Sequence, residues 1–240
     1  MNVHWQPAKY DSLPLPHEGW GARVVAGFDF RGDETVIDAG CGTGRDAEYA
    51  LWNLPRGRII GLDASPSMQA AFTSRFAHEE RAKILAADLG EPWPVDAACA
   101  DAVMSVAAFH WLPSHDRVWH NVAAALKPGG VVRVDAGGEG NLVRLLEVVD
   151  AVGASSSLPE WNYAGVEDTL GQLRAAGLVP VSVELREEPA YFDNDEVYAD
   201  YLRSVVLHKL SEIERMQVAG LMGDRCVDYV RLEVTAVKPG

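Results

Sequence analysis

Val36-Ile37-Asp38-Ala39-Gly40-Cys41-Gly42-Thr43-Gly44 decides how this chain folds. An apolar strand runs into a loop with glycine at every second position, and a helix follows. Glycines at 40, 42 and 44 let the backbone turn tightly and let a ligand approach the amides without a Cβ in the way. The amides that open the helix can hold a carboxylate or phosphate. Asp38, just before the loop, is placed to fix loop amides and a nearby cationic group. About twenty residues on, Gly61-Leu62-Asp63 ends a second apolar strand. An acid there suits a ribose diol, as in dinucleotide-binding folds. The first expectation is therefore a nucleoside-containing cofactor.

Working outward from this stretch, apolar strands over 35–40, 58–63, 82–87, 101–106 and 130–135 alternate with helical stretches over 44–53, 66–79 and 115–126. Such alternation specifies a mostly parallel sheet with right-handed crossovers. Ser65 before Pro66 reads as a helix start, and Lys127-Pro128-Gly129-Gly130 as a helix end turning into a strand. Beyond residue 140 the spacing predicts a helix over 142–153, a Ser-rich loop over 154–160, a helix over 167–176 and a strand over 179–185. One or two helices over 194–223 and a final strand over 227–237 complete the pattern. The expected architecture is a Rossmann-like α/β fold, with a seven-stranded mostly parallel sheet and helices on both faces. Residues 1–34 form an N-terminal lid, 35–140 the cofactor-binding core, and 141–240 the rest of the sheet with a helical cap inserted before the last strand. Ligands of such sheets bind along the carboxyl edge.

The 240 residues carry 35 acidic and 21 basic side chains, a formal net charge of −14, and are 48% hydrophobic. That apolar content supports a sizeable core. The acid excess argues against a phosphate-backbone groove, which needs Lys and Arg in surplus, so no nucleic-acid partner is expected. Cys41, Cys99 and Cys226 form neither a disulfide framework nor a metal-binding pair, and no metal is expected. No signal-like start is visible, and no apolar run approaches the ~20 residues of a membrane span. The expectation is a cytoplasmic monomer or homodimer without a membrane partner.

At this point the chain resembles the class I S-adenosylmethionine-dependent methyltransferases. The resemblance rests on four segments in order: Val36–Gly44, Gly61-Leu62-Asp63-Ala64-Ser65-Pro66-Ser67-Met68, Ala86-Ala87-Asp88-Leu89, and Leu126-Lys127-Pro128-Gly129-Gly130. Phe109-His110-Trp111-Leu112-Pro113 and Tyr201-Leu202-Arg203-Ser204 look like segments of the trans-aconitate methyltransferase-like, or methyltransferase type 11, group. The loop Asp135–Asn141 and Tyr201, where that group carries Trp, depart from its pattern. The resemblance therefore supplies an architecture and a cofactor, S-adenosylmethionine, with S-adenosylhomocysteine as product; it does not supply an acceptor.

It implies that Asp38, Ala39, Gly40, Cys41, Gly42 and Gly44 form the cofactor loop. Asp63 would take both ribose hydroxyls, Ala64, Met68, Ala87 and Leu89 would pack on the nucleoside, and Asp88 would accept from the adenine amino group. Val106, with Ala107 and Ala108, would border the methionine moiety. Trp5, Tyr10 and Trp20 would close over the cofactor. For the acceptor, Phe109, Trp111, Tyr201, Arg203 and His208 are the candidate contacts, with Arg203 as a carboxylate clamp. His110 is the candidate general base, its ordinary pKa near ~6.5 suiting that task. The expected function is methyl transfer to a carboxylate or hydroxyl oxygen of a small molecule. Alternatives are a protein that binds the cofactor without transferring methyl (a cyclase, a pericyclase or a noncatalytic partner) and, more remotely, an NAD(P)-dependent dehydrogenase.

Overall fold

The structure is a computed structural model and describes residues 17–240. Strands β1 (Thr35–Ala39), β2 (Arg58–Asp63), β3 (Ala82–Ala86), β4 (Ala100–Val106), β5 (Leu126–Gly137), β6 (Val179–Glu187) and β9 (Val230–Val237) form one seven-stranded sheet. Its order is β3-β2-β1-β4-β5-β9-β6. The pairs among β1 to β5 are parallel, and β9 runs antiparallel between β5 and β6. Two-residue strands β7 (Ala190–Tyr191) and β8 (Cys226–Val227) pair separately.

Successive side chains of a strand face opposite ways, and here each direction has its own core. Val36, Ala102, Met104 and Val106 pack with α1 (His17–Ala26), α2 (Arg45–Trp52) and α3 (Pro66–Arg75). Ile37, Ala39 and Val103 pack instead with α4 (Asp116–Ala125) and α6 (Val166–Ala175). β1 is buried at all five positions, as a central parallel strand covered on both faces must be. Ser65 caps α3 by accepting from the Met68 N–H, with Pro66 at its first turn.

The expected elements appear with their ends moved by a few residues. The largest displacements are in α3, which ends at Arg75, and in β5, which begins at Leu126 and carries the Lys127–Gly130 turn within its span, Gly129 taking φ +79°. The stretch over 194–223 is α7 (Asp195–Tyr201), a π-helical segment (Leu202–Val206) and α8 (Glu212–Met222), so the first helix changes pitch midway. The Leu207 N–H donates five residues back to the Leu202 carbonyl at 2.6 Å. α5 (Val143–Ala151) precedes a single 3-10 turn (Ser155–Ser157) in the Ser-rich loop. Of the aromatic lid, Trp5 and Tyr10 lie outside the described residues. Trp20 is fully buried in the core, so it does not close over a cofactor. Among the described residues no helix is long and apolar enough to cross a membrane, and no cluster of three His, Cys, Asp or Glu could hold a metal.

Candidate active site at the carboxyl edge of the sheet

Parallel strands end together on one edge, and the cavity lies there. Its volume is about 650 Å³, within the ~300–1,000 Å³ usual for small-molecule sites. Residues after β3 (Ala87–Glu91), β2 (Asp63–Ser65 and Met68), β1 (Gly40, Gly42), β4 (Val106–Ala108 and His110–Ser114) and β5 (Asn141, Leu142) line it in that lateral order. Tyr229 and Arg231 complete it, because antiparallel β9 begins at this edge. Trp161, Tyr163, Val205 and Val206 close the sides. The cavity thus has two ends, one beside β2 and β3 and one beside β5 and β9.

At the first end, Asp63 is held by two backbone donors. The Gly42 N–H reaches its Oδ2 at 2.9 Å and the Ser65 N–H its Oδ1 at 2.8 Å. Each carboxylate oxygen keeps a further lone pair, so the pair can take two adjacent hydroxyls. Burial pushes the Asp63 carboxyl above its ordinary value, and these two amides oppose that. Gly42, at φ +53°, has nothing within 4 Å of the place a Cβ would occupy, whereas a Cβ on Gly40 would lie 2.3 Å from the Ala108 Cβ. One glycine leaves the cavity open and the other lets two loops touch. Asp88 faces the cavity while its Oδ1 accepts from the Gly90 N–H at 3.0 Å. Asn121 on α4 donates to the Leu89 and Glu91 carbonyls and pins that loop.

Asp38, Ala39, Cys41 and Gly44 lie outside the cavity lining, behind or at the ends of the glycine loop. Asp38 is 1% exposed, and its Oδ2 has no hydrogen-bond partner among the described residues. Burial pushes its carboxyl well above the ordinary range, and the nearby Asp46 and Asp63 charges add to this. A native value raised above the unfolded one means the folded chain holds the proton longer. This group's contribution to stability therefore falls as pH rises through that window. Asp38→Asn should raise the melting temperature of the ligand-free protein by a few degrees at pH 8, with the gain vanishing toward pH 4. Calorimetric scans across that range check it; a lower melting temperature at pH 8 would show that the charge is satisfied.

The second end differs in chemistry. The Gly137 N–H donates to His110 Nδ1 at 3.2 Å, so the neutral ring carries its proton on Nε2. Burial holds His110 well below its ordinary value, and Arg231 pushes the same way. Arg231, 1% exposed, gives its Nε to Asp135 Oδ1 at 2.7 Å and its Nη2 to the Asp135 carbonyl at 3.2 Å. Its Nη1 has no partner among the described residues. The guanidinium lies 3.6 Å over the Trp20 ring, which puts Trp20 behind the site. The Val230 N–H donates to Asn141 Oδ1 at 2.8 Å. Burial raises the Tyr163 hydroxyl's pKa, and the Asn141 side chain opposes that rise. Two residues facing the cavity, Ala107 and Leu142, take positive φ without being glycine. Such strain collects at functional sites.

The other acceptor-side candidates fall as follows. Trp111 lines the cavity. Phe109 does not; it is 1% exposed and packs edge-on against Trp119, with its carbonyl bonded to His115. Tyr201 is fully buried and supports the wall through a hydroxyl–hydroxyl bond to Tyr229. Arg203 is an exposed residue of the π segment paired with Asp200, away from the cavity, which removes its clamp role. His208 stands behind Trp111, ring centroids 6.2 Å apart, with Nδ1 bonded to the Val205 carbonyl. Sequence reasoning missed Arg231, Tyr163, Trp161, Asn141 and Tyr229. One signal was available: Arg231 interrupts the buried run of the last strand, where a charge needs a partner.

The sheet order, the glycine loop and the tethered acid shape a cavity at the carboxyl edge of an α/β sheet, with paired carboxylate oxygens at one end and hydrogen-bond donors at the other. Residues 36–130 match the family model described as "Methyltransferase domain". That match runs from β1 to the turn within β5 and takes in the Asp63 and Asp88 end of the cavity. Over 136 residues it is 31% identical to a trans-aconitate 2-methyltransferase of Variovorax paradoxus (strain S110), a match covering 55% of this chain and 49% of that one. The chain spans about half the length of the curated relatives it matches. In fold it is similar to geranyl diphosphate C-methyltransferase from Streptomyces coelicolor A3(2), with TM-score 0.63, 15% identity, and 92% and 79% of the two chains covered. It is also similar to the [4+2]-cyclase SpnF, with TM-score 0.65, 17% identity, and 92% and 81% covered.

Proposed function

We propose that this protein moves a methyl group from S-adenosylmethionine to a carboxylate oxygen of a small molecule, forming a methyl ester. The observation that carries this reading is the kind of polar group at the β5–β9 end. His110 offers an N–H, because its Nδ1 lone pair already receives the Gly137 amide. Arg231 offers Nη1, and the Asn141 carbonyl oxygen is occupied by Val230. These are donors, and none is a free base. A hydroxyl acceptor must lose a proton as it reacts, whereas a carboxylate is already ionised and needs none. The expectation that His110 is a general base does not fit this hydrogen bonding.

The residues of the first end fit the cofactor: Asp63 for the ribose diol, Met68, Ala87 and Leu89 for the base, Asp88 for its amino group, and the Gly40–Gly42 loop with Val106 for the methionine portion. When bound, S-adenosylmethionine supplies an electrophilic methyl on sulfur and leaves as a thioether with no change in protons. The chain's own task is to orient and dehydrate. His110 Nε2–H and Arg231 Nη1 hold the carboxylate, the Tyr163 ring lies at its side against His110 and Trp161, and Val205, Val206 and Leu142 exclude water. Positioning of this kind supplies most of the rate in a direct displacement.

His110→Gln tests the assignment. A glutamine can accept from the Gly137 amide and still donate, so kcat should stay within about tenfold of wild type; losing a general base costs ~10²–10⁴-fold. The wild-type rate should be flat from pH 7 to 9. Below pH ~6.5 the protein should lose stability. A His whose native value is depressed binds fewer protons folded than unfolded, so stability falls as pH drops from the unfolded value toward the native one. A hundredfold loss in His110→Gln, or ester formation that rises with a limb near pH 7, would overturn the carboxylate reading.

A further inference from the structure

Four rings close a circuit at the β5–β9 end. Trp111 meets Trp161 edge-on at 5.8 Å, and Trp161 stacks on Tyr163 at 6.0 Å with 19° between planes. Tyr163 meets His110 at 6.0 Å, and His110 returns to Trp111 at 5.5 Å. All four line the cavity. The Asn162 N–H donates to the His110 carbonyl at 2.9 Å, so the loop bearing Trp161 and Tyr163 is fastened to the loop after β4. Gly137 makes room for this: a Cβ there would sit 2.8 Å from the Tyr163 ring.

Positive charge at this end is small and already matched. Among the described residues, Arg231 is the cationic residue in the lining there; Arg117, the other, is exposed and paired with Glu91 at the opposite end. Arg231 belongs to a chain of ion pairs through Asp135, Arg23, Glu188, Glu233 and Arg186. Three guanidiniums face three carboxylates in that chain. One carboxylate would face the free Arg231 Nη1 and the positive sulfur of the proposed cofactor, whereas each further one would bury a charge that nothing balances, at several kcal/mol. A flat ring or conjugated chain would instead find aromatic faces on its sides and two donors at its head, the arrangement that favours stacked and edge-on contacts.

We propose that the acceptor is a planar aromatic or conjugated acid with one carboxylate, held flat among Trp111, Trp161 and Tyr163 with its head on His110 and Arg231, and is not a polycarboxylate. This rests on the carboxylate reading above and adds the body of the molecule to it.

The test titrates the protein saturated with S-adenosylhomocysteine against trans-cinnamate, benzoate, cinnamyl alcohol and trans-aconitate by calorimetry, and then assays transfer from labelled S-adenosylmethionine. The aromatic acids should bind at least tenfold more tightly than trans-aconitate. Trp161→Ala should remove that advantage, Trp161→Phe should restore most of it, and both variants should keep wild-type affinity for S-adenosylhomocysteine, which also shows that they fold. Equal or tighter binding of trans-aconitate, no binding by any aromatic acid, or an unchanged preference in Trp161→Ala would overturn the proposal. Methyl transfer to cinnamyl alcohol in place of cinnamate would overturn the carboxylate reading while leaving the planar body standing.

Discussion

Asp63→Ala is expected to weaken binding of S-adenosylhomocysteine about 100-fold. The Asp63 oxygens are pre-aimed by the Gly42 and Ser65 amides, so no side-chain ordering is needed when two hydroxyls arrive. Hydrogen bonds to a charged acceptor contribute about 1.5–3 kcal/mol each, and ~1.4 kcal/mol is tenfold in affinity. The substitution also frees the two amides, loosening the loop that borders the same ligand. Asp63→Asn keeps one carbonyl acceptor and should lose roughly tenfold. Calorimetric titration of both variants reads this directly. A change below threefold in Asp63→Ala would remove Asp63 from the binding of the ribose.

The second large effect concerns stability. Arg231 and Asp135 are each 1% exposed on their side chains and are bonded at 2.7 Å. Removing one partner of such a pair leaves a buried charge behind, at about 3–5 kcal/mol. Arg231→Leu should therefore lower the melting temperature by roughly 10 °C, since 1 kcal/mol corresponds to ~2–4 °C in a chain of this size. Asp135 would keep Arg23 at 3.3 Å, which limits the loss. The double variant Arg231→Met/Asp135→Asn should recover half of the drop or more, because no unpaired ion remains. Scanning calorimetry on the single and double variants tests the coupling. Additive losses would show that the two side chains stabilise the fold independently.

Much of the cofactor half was legible because its chemistry is local. Val36–Gly44 and Gly61–Asp63 each hold strand, turn and acid within a few residues, so spacing alone placed Gly40, Gly42 and Asp63 at the sheet edge. The β5–β9 end was not legible for the opposite reason. Arg231 meets Asp135 across 96 positions of sequence, and Asn141 meets Val230 across 89. No local pattern reports such pairs. Arg203 was misleading because a helix carries polar groups around most of its circumference, and the change of pitch at Leu202 turns Val205 and Val206 to the cavity in its place. His110 lines the cavity, yet its proton position depends on the Gly137 amide, which only the folded chain brings to it.

The position of β9 has a consequence for the order in which this protein becomes functional. Strands β5 and β6 are separated by β9 in the sheet, so neither has its full set of hydrogen bonds until residues 230–237 slide between them. The loops that carry Asp63 and Asp88 lie between residues 40 and 91 and follow strands joined by short-range crossovers. The guanidinium at the other end arrives with the inserted strand, and pairings of such long sequence separation form slowly. A folding chain is thus expected to complete the β1–β3 end of its cavity before the β5–β9 end. A single strand acts as the wedge that locks the sheet and finishes the cavity wall.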